Sequence, residues 1–264
     1  MQAQHITTKV VGVGHKTVIS LDMGLYKPTK QLQMSRSDLD HLLLRPGELH
    51  IVMSQLRCIS AYTSWVESGI YGPVTVKKIV EGKHVKRGVE AHLLTLQALF
   101  TVYQEAFFEK HQSLRAVLSG KAENIDRACT SGDTEEILKA HNAMLQALVT
   151  HDVERKMDIF EHDRNSSPLF VATCNYMSMA MTMNLFIRAV HTRNWELHLS
   201  ALGAFCKHFF ALDMLNYARM IPVYLAEVES LKNDHLLYEE FRSGTWVVNK
   251  NTTVPCCSIG QIMH

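Results

Sequence analysis

Apolar residues return at every third or fourth position through most of this chain, while strand-like runs are confined to its first sixty residues. That asymmetry admits a mainly helical protein with a small α/β beginning and excludes sheet-dominated folds. Val18-Ile19-Ser20-Leu21 is β-branched and apolar and ends at Asp22, as a buried strand would. Residues 24–34 predict a helix with Pro28 in its first turn. His41 to Arg45 predicts a second strand, Pro46-Gly47 a turn, and residues 48–60 a second helix. The strand–helix–strand–helix order describes an α/β unit over residues 1–60, followed by a helical domain over 61–264.

Beyond residue 60, Pro73 opens a short helix ending near Gly82. Residues 89–111 predict a long amphipathic helix with Leu96, Leu99, Tyr103 and Phe107 on one face. Asp133 or Thr134 caps a helix reaching about Val149, and Ser166-Ser167-Pro168 opens another reaching about Val190. Asn194 caps the next, and a further helix covers 214–231. Linkers fall near 61–72, 112–132 and 161–167, and Gly244 marks a turn before a short extended piece at Trp246-Val247-Val248. Met177, Met179, Met181 and Met183 alternate, but the long apolar run around them fits a buried helix with methionine as gap-filler.

Composition narrows the functional classes. The 27 Lys+Arg against 26 Asp+Glu exclude a wholly basic nucleic-acid binder, though not a local patch. Such a patch exists: Lys77, Lys78, Lys83, Lys86 and Arg87 face one acid, Glu81, and fit either phosphate contact or a solvated face. The stretch 227–240 is acidic in turn. Six cysteines without a C-x-x-C pair read as reduced, mostly buried thiols of an intracellular protein, nuclear or cytoplasmic. The polar N-terminus lacks a signal-peptide core, and the apolar run 176–190 is too short and too polar to span a bilayer. Gly12-Val13-Gly14-His15-Lys16-Thr17 fails as a phosphate loop, because His15 stands where glycine is needed and a strand follows. The 15 histidines form no metal-ligand spacing and predict a charge change between about pH 6 and 7.

Two acids stand out. Asp22, at the end of the first strand, can project into the crevice at the sheet's carboxyl edge, and Glu48 follows the second strand by a turn. Together they begin a divalent-metal site; separately they are a turn or capping acid each. Asp213, Asn216 and Tyr217 share a face if one helix holds them; the simpler arrangement has Asp213 as N-cap, Tyr217 and Tyr224 packed, and Arg219 bonding across to a neighbour.

Several phrases together resemble an uncharacterised, multicopy family of large animal proteins of mobile-element origin. They are Ser20-Leu21-Asp22 with Tyr26, Gly47-Glu48-Leu49-His50, Val85-Lys86-Arg87-Gly88 with His92, Phe186-Ile187-Arg188-Ala189, Trp195-Glu196-Leu197-His198-Leu199, Asp213 with Leu215-Asn216-Tyr217-Ala218-Arg219, and Trp246-Val247-Val248-Asn249-Lys250. That family's layout is similar to transposases with a ribonuclease-H-like core interrupted by a helical insertion. The resemblance implies Asp22 and Glu48 as first and second metal-binding acids, with Mg²⁺ as cofactor and DNA as partner. The third acid would follow Gly260, where the sequence offers none, so the expectation is a truncated, degenerate metal-dependent DNA-processing protein without full activity. The alternative is a non-enzymatic helical scaffold that binds a protein partner. His50, Asp213, Asn216, Tyr217 and Arg219 remain motif residues without a role.

Overall fold

The computed structural model describes residues 9, 15–71, 85–163, 166–232 and 236–247, with the backbone alone for 61–71. The protein is mainly helical with a small N-terminal α/β part, as its periodicity requires. Strand β1 (Thr17–Leu21) leads through helix α1 (Met23–Met34) and a 3₁₀ turn to β2 (Leu42–Pro46), then α2 (Glu48–Tyr71). Next come α3 (Val85–Lys110), α4 (Gln112–Ser131), α5 (Thr134–Thr150), α6 (Val153–Glu161) and α7 (Pro168–Thr192). Helices α8 (Trp195–Ala211), α9 (Leu215–Ser230) and α10 (Leu236–Arg242) complete the described elements.

The two strands are parallel, in register from Thr17 against Leu42 to Leu21 against Pro46. Every residue of β2 is buried, and Leu43 and Leu44 are wholly so. Pro46 has no N–H to give, which suits a strand's last residue; Gly47 N then donates to Leu21 O at 2.7 Å and closes the ladder. Asp22 caps α1 by accepting from Leu25 N at 2.9 Å. Because the helix begins at Met23, Pro28 falls in its second turn rather than its first, and the carbonyl it leaves without a donor belongs to exposed Gly24. Asp133 caps α5, Asn194 caps α8, and Ser167 Oγ accepts from Phe170 N at the start of α7, as the sequence indicated.

Four local assignments differ from expectation. Helix α2 continues to Tyr71, through most of the anticipated linker. The anticipated linker 112–132 is helix α4, whose buried residues are only Leu114 and Ala128, too few to print a period on the sequence. It stops at Gly132, where φ is +73°. Helix α6 fills residues assigned to no element. Ser243 to Val247 form a turn and a bend rather than an extended piece, and Val248 lies outside the described residues, as does the helix expected after Pro73.

The compact units do not follow a 1–60 and 61–264 division. One unit, the sheet unit, joins residues 1–93 to 178–264; the other, the helical unit, is 94–177. The chain passes between them within α3 and α7. In the sheet unit, α8 packs along α9, and both α1 and α9 meet β2. Tyr26, Leu44, Phe186, Phe205, Phe209 and Tyr224 are fully buried in its core. In the helical unit, α4 and α5 pack along each other, and Phe160 sits edge-on to Tyr103, Phe107 and Phe170 at 5.3–5.6 Å.

Candidate functional site

Parallel strands deliver their carboxyl ends to the same edge, so Asp22 and the Gly47-Glu48 corner emerge side by side. The approach is close: a Cβ on Gly47 would lie 3.3 Å from Leu21 O and 3.7 Å from His50 Cδ2. Helix α9 reaches this edge from the far end of the sequence. Tyr217 Oη donates to His50 O at 3.3 Å, and Lys27 Nζ donates to Asn216 Oδ1 at 3.4 Å. The Tyr217 ring packs on Phe209 with centroids 5.0 Å apart. Burial is the main reason the Tyr217 phenol titrates above its ordinary value; a hydrogen bond with Ser54 and the charge of Arg57 oppose it, and Asp22 adds to it. Asp22, His50, Arg57, Asn216 and Tyr217 therefore share one rim, with Ser54 buried against it.

Two motif residues stand apart from it. Asp213 is exposed in the turn between α8 and α9 with φ +57°. It is not a cap: that position falls on Met214, which makes no side-chain cap bond, so Asp213 does not share a helix face with Asn216 and Tyr217. Arg219 is exposed on α9. Tyr224 is fully buried, as expected of a packing residue.

Beneath the rim lies a buried charged layer that the sequence did not announce. Arg45, the only cation in an otherwise apolar strand, is 6% exposed. It pairs with Glu48, donates from Nη1 to Trp246 O at 2.9 Å, and lies 5.1 Å from the centre of the Trp246 ring. His198 packs among Phe186, Trp195 and Trp246, with centroids 4.4–5.4 Å away. Burial first, and the Arg45 charge second, hold its imidazole far below the usual range. Lys30 Nζ meets Glu227 at 2.6 Å on the same side of the core, where burial pushes Tyr224 up to about 12 and Tyr26 higher still. Elsewhere in the unit, Gln55 Nε2 lies 3.0 Å from His208 Nδ1.

These contacts decide how the two expected metal-binding acids are used. Glu48 already compensates a buried guanidinium, and one oxygen of Asp22 is committed to the α1 cap. The pair does not fit Mg²⁺: the positive charge that Glu48 would offer its electrons to is supplied by Arg45. Among the described residues, no three His, Cys, Asp or Glu side chains converge as metal ligands. Of the basic patch, Lys86 and Arg87 are exposed in the first turn of α3, whereas Lys77, Lys78 and Lys83 lie outside the described residues. Cys58, Cys129, Cys174 and Cys206 are free thiols; Cys58 and Cys174 are buried and Cys129 is exposed. Among the described residues no helix is long and apolar enough to cross a membrane.

Over residues 3–261 the chain matches the family described as a domain of unknown function, DUF8702, and it belongs to that family. No curated protein and no solved structure matches it.

Proposed function

We propose that this DUF8702 member engages DNA without full catalytic turnover, as a mobile-element-derived, degenerate relative of ribonuclease-H-like DNA-processing proteins. The observation that carries the reading is the rim: Asp22, His50, Asn216 and Tyr217 converge at the carboxyl edge of parallel strands, with Lys27 and Arg57 beside them. Charge supports it. The sheet unit holds 19 Lys+Arg against 14 Asp+Glu, while the helical unit holds 8 against 12. Lys86 and Arg87 add two exposed cations on α3. The pairing of Glu48 with Arg45 supports a role without full turnover. Such a role belongs inside the cell, in nucleus or cytoplasm.

Binding isotherms with duplex DNA between about 50 and 200 mM salt test the reading. A steep salt dependence is expected, and the double variant Lys27→Glu, Arg57→Glu should weaken binding at least about tenfold and flatten the slope by about one unit per lost phosphate contact. No binding at the lowest salt overturns it.

A second reading, the protein-interaction scaffold, is favoured by a separate observation. Leu138, Leu145 and Val149 lie exposed on one face of α5, at 61%, 58% and 76%. Proximity labelling with the wild-type chain and with Leu138→Glu, Leu145→Glu tests it: the scaffold reading requires specific neighbours that the variant loses.

A further inference from the structure

We propose that the elbow between α5 and α6 is a docking groove for a cationic amphipathic helix of a partner protein; this deepens the scaffold reading and rests on it. Helix α5 ends at Thr150, and the chain turns through His151 and Asp152, the latter with φ +49°, before α6 begins at Val153. The two helices enclose an open groove of about 910 Å³. Its apolar lining is Leu148, Val149, Val153 and Met157. Its charged lining is four carboxylates, those of Asp152, Glu154, Asp158 and Glu161, against one guanidinium, Arg155.

Charge complementarity selects the occupant. Arg155 lies 3.9 Å from Asp152, His162 lies 3.1 Å from Asp158, and Glu161 accepts from Tyr103 Oη at 2.8 Å, so the rim is only partly neutralised. The unit around it is acidic as a whole. Leu138, Leu145 and Val149 continue the apolar lining along α5 for about 16 Å, the length of about three helical turns. An apolar line flanked by acids matches a helix with leucine-like residues on one face and Lys or Arg on its flanks, and repels the same helix carrying Glu.

The test uses the full chain and two synthetic peptides of about 18 residues that share one apolar face, a Leu/Lys helix and a Leu/Glu helix. The Leu/Lys peptide should bind by fluorescence anisotropy and weaken as salt rises, and the Leu/Glu peptide should not bind. Val149→Asp and Glu154→Lys, both at exposed positions, should each weaken binding at least tenfold while leaving the melting temperature unchanged. Equal binding of the Leu/Glu peptide, or an unchanged Kd in Val149→Asp, overturns the proposal. So does self-association of the wild-type chain in sedimentation that Val149→Asp abolishes, because the face then belongs to a second copy. If the peptide fails while the labelling difference survives, the scaffold reading stands and only the cationic helix is removed; if both fail, both readings go.

Discussion

The two units handle polar groups in opposite ways. Among the described residues, ten of the eleven buried polar or charged side chains lie in the sheet unit, and only Thr95 lies in the helical unit. Large exposed hydrophobics run the other way: among residues with described side chains there are nine in each unit, although the helical unit has 82 such residues and the sheet unit 123. A buried charge is tolerated only while its partners are in place, so the sheet unit is specified by contacts such as Arg45 with Glu48 and Trp246. The helical unit closes around a small aromatic cluster and keeps apolar surface to spare. The first arrangement fixes a shaped edge, and the second leaves apolar surface exposed.

The largest effect should come from separating the buried pair. Glu48→Ala leaves the Arg45 guanidinium buried without its counter-charge and should cost about 3–5 kcal/mol. All three tryptophans, Trp65, Trp195 and Trp246, belong to the sheet unit, so their emission reports that unit while far-UV circular dichroism reports every helix. Urea titration followed by both signals should show the tryptophan transition moving to lower urea. An unmoved midpoint would mean that Glu48 is not needed by Arg45 and is free for a metal, which revives the two-acid reading of the edge.

Acid should separate the units next. Burial lowers His92 and His208 to about 4, with Lys207 adding to the effect at His208, and His198 shifts the same way; all three belong to the sheet unit. In the unfolded chain the His92 and His208 rings take up protons near pH 6.5, in the folded chain only near pH 4. The unfolded state therefore binds more protons across that window, and stability falls as pH drops through it, by about 3 kcal/mol for His92 and in the same direction for His208. Tryptophan emission should shift red between pH 6 and 4 ahead of the loss of helicity; simultaneous loss of both would show that burial of these rings does not set the acid limit.

A smaller backbone effect sharpens the same contrast. Gly244 has φ +89°, and an added Cβ would lie 2.9 Å from Arg193 Cβ. Gly244→Ala should destabilise the sheet unit by at least about 1 kcal/mol, because both the conformation and the approach to Arg193 exclude a side chain. Thermal melts followed by tryptophan emission check it. Gly120, on α4 of the helical unit, has open space around it, so Gly120→Ala should be neutral or mildly stabilising by comparison.

What the sequence disclosed and what it withheld follow from the range of the interactions. Strand β1, the Asp22 corner and the caps Asp133 and Asn194 are written in neighbouring residues, so pattern and spacing locate them. Helix α4 was hidden because its helical unit asks so little burial of it. At the edge, Asp22 and Glu48 were visible as acids after strands, but Glu48's use depends on Arg45, and Arg45's on Trp246 201 positions away. Tyr217 meets His50 across 167 positions. Arg45 left one trace, a cation in an apolar strand followed by Pro46, and that trace marks a buried charge without naming its partner. Periodicity carries no information about which distant helix closes over a strand end.

The smallest expected effect is the one on which the comparison rests. Leu138 and Leu145 are 61% and 58% exposed on α5, seven residues apart and hence on one face. If that surface is spare, replacing both by lysine removes little packing and replaces one good helix former with another. The Leu138→Lys change also sets a cation three residues after Glu135, in a unit whose carboxylates outnumber its cations. The double variant Leu138→Lys, Leu145→Lys should therefore change unfolding free energy by no more than about 0.5 kcal/mol, with an unchanged urea m-value. A loss above about 1 kcal/mol would mean that the two leucines are covered in the folded chain. The helical unit would then bury its apolar groups as fully as the sheet unit does, and the surface that distinguishes it as a docking platform would not exist.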